Sequence, residues 1–214
     1  MSDFQRPSNP PPSQPTPSRA REQAKQETRE ALLEAALAEF AERGLDAPSL
    51  DAICARAGYT RGAFYVHFAD RDELVAAAME RVISRFMDAI IATGDAALDL
   101  ERSIRLFTSV VTQGEFFMQK NVRAHQLMQA CARSKTVRER YVALINQAIE
   151  RVSHAVAEGQ NAGSVRTDLE PEHAAKLLIG LVLGVQVLNE VGYPVDAPTG
   201  GETILKLLTA HTAG

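Results

Sequence analysis

The 214-residue chain is 45% hydrophobic and 23% charged, enough apolar side chain for a sizeable core in one or two domains, which excludes wholesale disorder. Its 23 Lys+Arg against 27 Asp+Glu leave a net charge of −4, which speaks against non-specific coating of DNA or membranes, so any nucleic-acid site has to be local. Two cysteines, Cys54 and Cys131, cannot form a disulfide framework, and no CxxC or Cys/His ligand spacing occurs, so neither metal nor cofactor is expected and a reducing cytoplasm is.

Six of the ten prolines fall between Pro7 and Pro17, among Ser, Asn and Gln, so residues 1–18 read as a disordered leader without the apolar run of a secretory signal. The longest uninterrupted apolar stretch, Leu177 to Val185, falls short of the ~18 residues that span a bilayer. It reads as a buried helix, and no membrane partner is expected.

From Arg19 onward apolar residues recur at three- and four-residue spacing and no strand pattern appears, so the expected fold is all-α. The first helix buries Leu32, Leu33, Ala36, Leu37 and Phe40 and stops at Gly44. Pro48-Ser49 opens a second, with Ser49 as its cap, Leu50, Ile53, Cys54 and Ala57 as its inner side, and Gly58 at its end. Thr60 caps a third that runs to about His67 with Ala63, Phe64 and Phe68 inward, and Asp70 caps a long fourth through Leu74, Met79, Val82, Ile83 and Phe86. Two short helices across a tight glycine turn form a helix-turn-helix pattern, whose second helix can enter the major groove of DNA. The same spacing also occurs in helical bundles with no DNA role.

Ser49 to Val75, SLDAICARAGYTRGAFYVHFADRDELV, resembles the DNA-binding signature of the TetR family of transcriptional regulators. The likeness extends back to Phe40-Ala-Glu-Arg-Gly44 and includes Ile53, Ala57-Gly58, Gly62, the block Phe64 to Phe68 and Arg71 to Leu74. It implies an N-terminal three-helix helix-turn-helix DNA-binding domain over 19–70 and a C-terminal helical ligand-binding and dimerisation domain over 71–214. It also implies a homodimer, and it places Tyr65 and His67 at the DNA backbone.

The residues agree on chemical grounds. Tyr65 and His67 offer a phenol and an imidazole as donors to phosphate oxygens, with half-buried packing as the alternative. Arg71 and Ser49 stand at helix starts, where backbone N–H groups already attract a phosphate. Gly58 and Gly62 are small where helices approach each other and where the recognition helix nears the DNA. Base reading falls to Thr60, Arg61, Ala63 and Val66. Arg61 can donate twice to the O6 and N7 of a guanine, worth about 1–3 kcal/mol of discrimination, whereas Ala63 could only touch a thymine methyl. Asp51 could at most accept from a cytosine amino group, so the second helix is expected to read little. Between Arg19 and Arg85 ten basic residues face twelve acidic ones, but Glu27, Glu30, Glu34, Glu39 and Glu42 all lie on the first helix, whose outer face can turn from DNA. Arg19, Arg21 and Lys25 could reach phosphates as an N-terminal arm does.

Residues 99–159 read as three helices, and together with Phe86 and Ile90 before them, Phe107, Val111, Phe116, Phe117, His125 and Met128 could line a mostly apolar effector cavity, with core packing as the plain alternative. Leu106, Val122, Leu127, Val142, Ile145, Ile149 and Val152 are further candidates for burial. His125 and Cys131 are six residues apart and off one helical face, so they do not suggest a metal site. Ala174 to Val191 is apolar on nearly every side and has to be covered all round; Gly180 and Gly184 would let another helix approach, and Thr203 to Leu208 can pack alongside. Two such helices from each of two subunits would form a four-helix dimer interface.

The expected function is a dimeric DNA-binding repressor released from a palindromic double-stranded operator by a small-molecule effector. A helical protein-binding adaptor without DNA contact and a thiol-reactive sensor using Cys131, near Arg133 and Lys135, are the alternatives. An enzyme is not expected, because no P-loop, GxSxG, HExxH or GxGxxG occurs and Glu115 and Asp168 have no evident partner in the sequence.

Overall fold

The three- and four-residue spacing of the first segment forms a 27-residue helix, α1 (Pro17–Arg43), in a computed structural model that describes residues 17–91, 122–193 and 195–209. The helix starts within the stretch read as leader. Seven further helices follow among the described residues, with no strand: α2 (Leu50–Ala57), α3 (Arg61–Tyr65), α4 (Arg71–Ile91), α5 (Ala124–Arg133), α6 (Lys135–Asn161), α7 (Pro171–Glu190) and α8 (Ala197–Leu208).

Side chains close the exposed N–H groups at most helix starts, which is why the boundaries fall where they do. Ser49 accepts from the Ala52 N–H at 3.1 Å, Thr60 from Ala63 at 3.2 Å, Ser134 from Val137 at 3.3 Å and Asp196 from Thr199 at 3.0 Å. At α4 the Asp70 carboxylate accepts from the Glu73 N–H at 2.9 Å while Glu73 accepts from Ala69 at 2.6 Å. Helix α3 ends at Tyr65, two residues earlier than its spacing suggests, and the chain continues as a turn in which His67 and Phe68 both donate to the Phe64 carbonyl.

The core begins at Leu32, Leu33 and Phe40 of α1, takes in Ile53, Phe64 and Phe68, and continues through Leu74, Val75 and Met79 of α4. Phe40, Phe64 and Phe68 are essentially inaccessible to solvent, and each contributes about 1.5–3 kcal/mol by leaving water. The same core runs on without a break into Leu127 of α5 and Val137, Tyr141 and Leu144 of α6, so α4 has the helix-turn-helix at one end and the C-terminal helices along its side. On α6 the inner face is Val137, Tyr141, Leu144 and Ala148; Val142, a candidate for burial, points outward and is 48% exposed because it falls between those turns.

Among the described residues, helix α7 is covered within the subunit along part of its surface. It buries Ala174, Ala175, Val182 and Gln186, with α5, α6 and α8 lying against it, while Leu177, Leu181, Val187 and Leu188 are exposed among the described residues. An 18-residue stretch within Pro171–Glu190 is apolar enough to cross a membrane by length and composition alone, with a mean hydropathy of 1.3.

Candidate nucleic-acid interface

Gly58 makes the turn between α2 and α3. Its backbone is left-handed (φ 75°, ψ 24°), its N–H donates to the Ala55 carbonyl, and the Tyr59 N–H donates to that of Cys54 at 3.0 Å. A Cβ at Gly58 would meet nothing within 4 Å, so dihedral strain and not crowding requires glycine here. The expectation of crowding at Gly62 also fails within the subunit: a Cβ there would meet Thr60 Oγ1 at 3.6 Å, an ordinary contact.

Beneath α3, Phe64 and Phe68 stack with ring centroids 5.4 Å apart, and the Arg29 guanidinium of α1 lies over the Phe68 ring at 5.1 Å. This leaves Thr60, Arg61, Gly62, Tyr65 and Val66 exposed on one surface, with Ala63 and His67 half-buried at its edges. Tyr65 is 55% exposed, its ring set edge-on to Phe64. Burial first, then the charges of Lys25 and Arg29, lowers the pKa of His67 from its ordinary 6.5, so the imidazole is neutral at pH 7. Ser49 is exposed, with its hydroxyl engaged as a cap.

Two arginines are placed differently from the simplest reading of the sequence. Arg71 turns inward: it donates to the Leu45 carbonyl at 2.5 Å and lies over the Phe40 ring. Arg61 is exposed but paired, its Nε 2.5 Å from Asp51 Oδ1 and its Nη2 3.0 Å from Oδ2. Sequence reasoning missed this fork, and also the position of Arg29; the only hint was one acid and one base on facing helices ten residues apart.

The acidity of α1 is largely absorbed within the fold. Arg56 of α2 holds both Glu39 (3.1 Å) and Glu42 (2.6 Å), and Arg81 of α4 holds Glu30 (2.5 Å) and Glu34 (3.3 Å). Those carboxylates therefore face α2 and α4, while Lys25 and Arg29 lie toward His67 and α3.

Of the eight candidate effector residues, Phe107, Val111, Phe116 and Phe117 lie outside the described residues, as do the side chains of Phe86 and Ile90 on α4. Met128 is 45% exposed, and His125 lies 2.9 Å from Glu190 of α7 with its side chain 56% exposed, so both stand at the surface. Cys131 is buried, and burial pushes its thiol pKa up, the opposite of what a reactive thiolate needs. Asp168, without an evident partner in the sequence, is paired with Arg166 at 2.5 Å.

Residues 32–78, the span of this helix-turn-helix, match the family model described as bacterial regulatory proteins, tetR family. The HTH-type transcriptional repressor BepR of Brucella suis biovar 1 (strain 1330) is 33% identical over 178 residues, covering 77% of this chain and 80% of BepR. This chain belongs to the TetR family. The HTH-type transcriptional repressor DhaR of Mycobacterium sp. (strain GP1) is 26% identical over 73% of the chain and 79% of DhaR. Among solved structures, SmeT, the repressor of the Stenotrophomonas maltophilia multidrug efflux pump SmeDEF, is 29% identical with a TM-score of 0.64, covering 88% of this chain and 93% of SmeT. The reduced form of E. coli NemR superposes with a TM-score of 0.69 at 20% identity, over 87% of this chain and 100% of NemR, which shows the shared fold. As a TetR-family member this chain is a ligand-responsive, DNA-binding transcriptional regulator, and neither the adaptor reading nor the thiol-sensor reading finds support among these relatives.

Proposed function

We propose that this regulator is a cytoplasmic repressor that holds a palindromic operator as a homodimer and leaves it when a small molecule binds the C-terminal domain. The observation that carries the reading is the exposed α3 surface, where polar side chains stand on an aromatic base locked by Phe64 and Phe68. Arg61 reads a guanine, Thr60, Ala63 and Val66 meet neighbouring base edges, Gly62 admits the backbone, and Tyr65, His67 and Ser49 hold phosphates. Arg71, tied to Leu45, acts on the phosphates through the position of the α1–α2 loop. The boundary between DNA-reading and effector domains falls near residue 70, at the start of α4.

The homodimer forms through α7 and α8. Leu177, Leu181 and Leu188 lie four and seven residues apart along the exposed side of α7, with Val191 just past its end and Leu207 of α8 also exposed. Among the described residues a Cβ at Gly180 or Gly184 would meet nothing within 4 Å, which leaves room for a partner helix at that point.

The residues proposed for effector contact are those the sequence suggests: Phe86, Ile90, Phe107, Val111, Phe116, Phe117, His125 and Met128. SmeT, which is also solved as a complex with triclosan, supports a small, largely apolar effector. Ion pairs Arg140–Glu80 (2.6 Å) and Arg151–Asp88 (3.1 Å) tie α4 to α6, so displacing α4 at its effector end shifts the recognition helices at the other. An effector that prefers the released geometry a hundredfold supplies about 2.7 kcal/mol of coupling.

The test is selection from random duplex DNA by the purified protein, followed by anisotropy titration at two salt concentrations. A two-fold symmetric site whose affinity falls with salt supports the reading. A folded dimer that enriches no site overturns it.

A further inference from the structure

Asp51 is an acid on a surface that has to approach phosphates, and it stands in the first turn of α2, where the resemblance leaves room for a base-reading side chain. Its carboxylate is committed: Oδ1 and Oδ2 take the Nε and Nη2 groups of Arg61 at 2.5 and 3.0 Å across the helix-turn-helix. Both side chains are more than half exposed, at 69% and 56%, and an ion pair in that setting adds little to folding stability. The pair therefore needs another explanation.

The donor geometry supplies one. A guanidinium carries five N–H groups in a plane; Asp51 occupies the edge formed by Nε–H and one Nη2–H, which leaves the outer edge, with N–H groups on both Nη1 and Nη2, directed away from the carboxylate. That outer edge is the fork that matches O6 and N7 of guanine. A free arginine samples many rotamers and can equally well swing to a phosphate, whereas one held along its inner edge presents its outer edge in a fixed plane.

We propose that Asp51 is a specificity-positioning residue: it clamps Arg61 so that the outer edge of the guanidinium meets a guanine in the operator and not the DNA backbone. The inference rests on base reading by Arg61, proposed above. The negative charge weakens attraction to every duplex alike, and in return fewer wrong duplexes are bound.

The test uses the full-length protein on its selected operator, and on operators changed at each base pair, for wild type, Asp51→Asn, Asp51→Ala, Arg61→Ala and the double variant Asp51→Ala/Arg61→Ala. Arg61→Ala identifies its base pair as the one at which preference disappears. Wild type is expected to discriminate there by about 10–100-fold. Both Asp51 variants should lose about 5–10-fold of that preference at that pair alone and bind unrelated duplexes as tightly as wild type or tighter, and Asp51→Ala should add no loss in the Arg61→Ala background. The near-isosteric Asp51→Asn keeps the helix start intact while removing the charge. If the Asp51 variants tighten on all duplexes equally and keep the guanine preference, the clamp is wrong while base reading stands. If Arg61→Ala erases preference at no position, base reading itself fails and the clamp with it.

Discussion

Arg133 at the end of α5 lies 2.6 Å from Asp46 in the loop between α1 and α2, joining the C-terminal domain to the segment that leads into the DNA-reading helices. Beside it the Leu45 N–H donates to Gln126 of the same helix at 3.4 Å, and Arg71 holds the Leu45 carbonyl. The loop is thus gripped from α4 and α5 at once. Because the Arg133–Asp46 pair is largely exposed, Arg133→Gln and Asp46→Asn should each change the unfolding free energy by less than about 1 kcal/mol in urea. Operator affinity should nonetheless shift several-fold in anisotropy titrations, since the loop sets the angle at which α2 and α3 meet DNA. Unchanged affinity for both variants would show that the loop contact transmits nothing.

Gly159 of α6 is forced by a close approach. A Cβ there would come within 2.5 Å of Val165 Cγ2, and Val165 is fully buried in the turn between α6 and α7. Gly159→Ala should destabilise by about 1–2 kcal/mol, because overpacking outweighs the better helix propensity of alanine. In a Val165→Ala background the same change should be neutral or stabilising, a reversal that a double-mutant cycle in denaturant would display.

At Gly180 and Gly184 the situation is the opposite. Among the described residues nothing lies within 4 Å of a Cβ at either position, so Gly184→Leu should leave the monomer as stable or stabilise it by up to about 1 kcal/mol. Sedimentation equilibrium should nevertheless show a weaker dimer, and Leu177→Gln with Leu181→Gln should raise the dimer dissociation constant by about 10–100-fold through lost apolar burial. A dimer of unaltered strength in all these variants would place the interface elsewhere.

The helix-turn-helix was legible in the sequence because its signals are local: caps at Ser49, Thr60 and Asp70, the left-handed glycine at 58, and the Phe64–Phe68 pair that has to be buried. The contacts that tune it were not legible, because they are long-range choices among many equivalent charges. Nothing in the spacing said that Arg61 would take Asp51, that Arg71 would turn to Leu45, or that Arg56 would hold two glutamates of α1. On α6 and α7 the apolar residues outnumber those that one face can bury, so composition could not separate buried Tyr141 from exposed Val142, or Val182 from Leu181.

His67 gives the interface a pH dependence of definite sign. Its pKa is lowered in the fold, so below 6.5 the unfolded chain binds more protons than the folded one. The stabilisation is complete above 6.5 and is lost as pH falls through the folded value. His67→Gln should therefore flatten the decline in Tm between pH 7 and pH 5. The phosphate proposed to meet His67 would favour the imidazolium, so operator binding on the acid side of 6.5 should take up a proton in the wild type and not in His67→Gln, as measured by calorimetry in buffers of different ionisation enthalpy.

The most direct test of a dimeric repressor with one α3 per half-site is the stoichiometry and affinity on the selected operator against a duplex carrying a single half-site. Two chains should bind each full operator, at least 100-fold more tightly than the half-site, with Tyr65→Phe and Arg61→Ala weakening both duplexes. One chain per operator, or equal affinity for full and half sites, would contradict the dimeric arrangement.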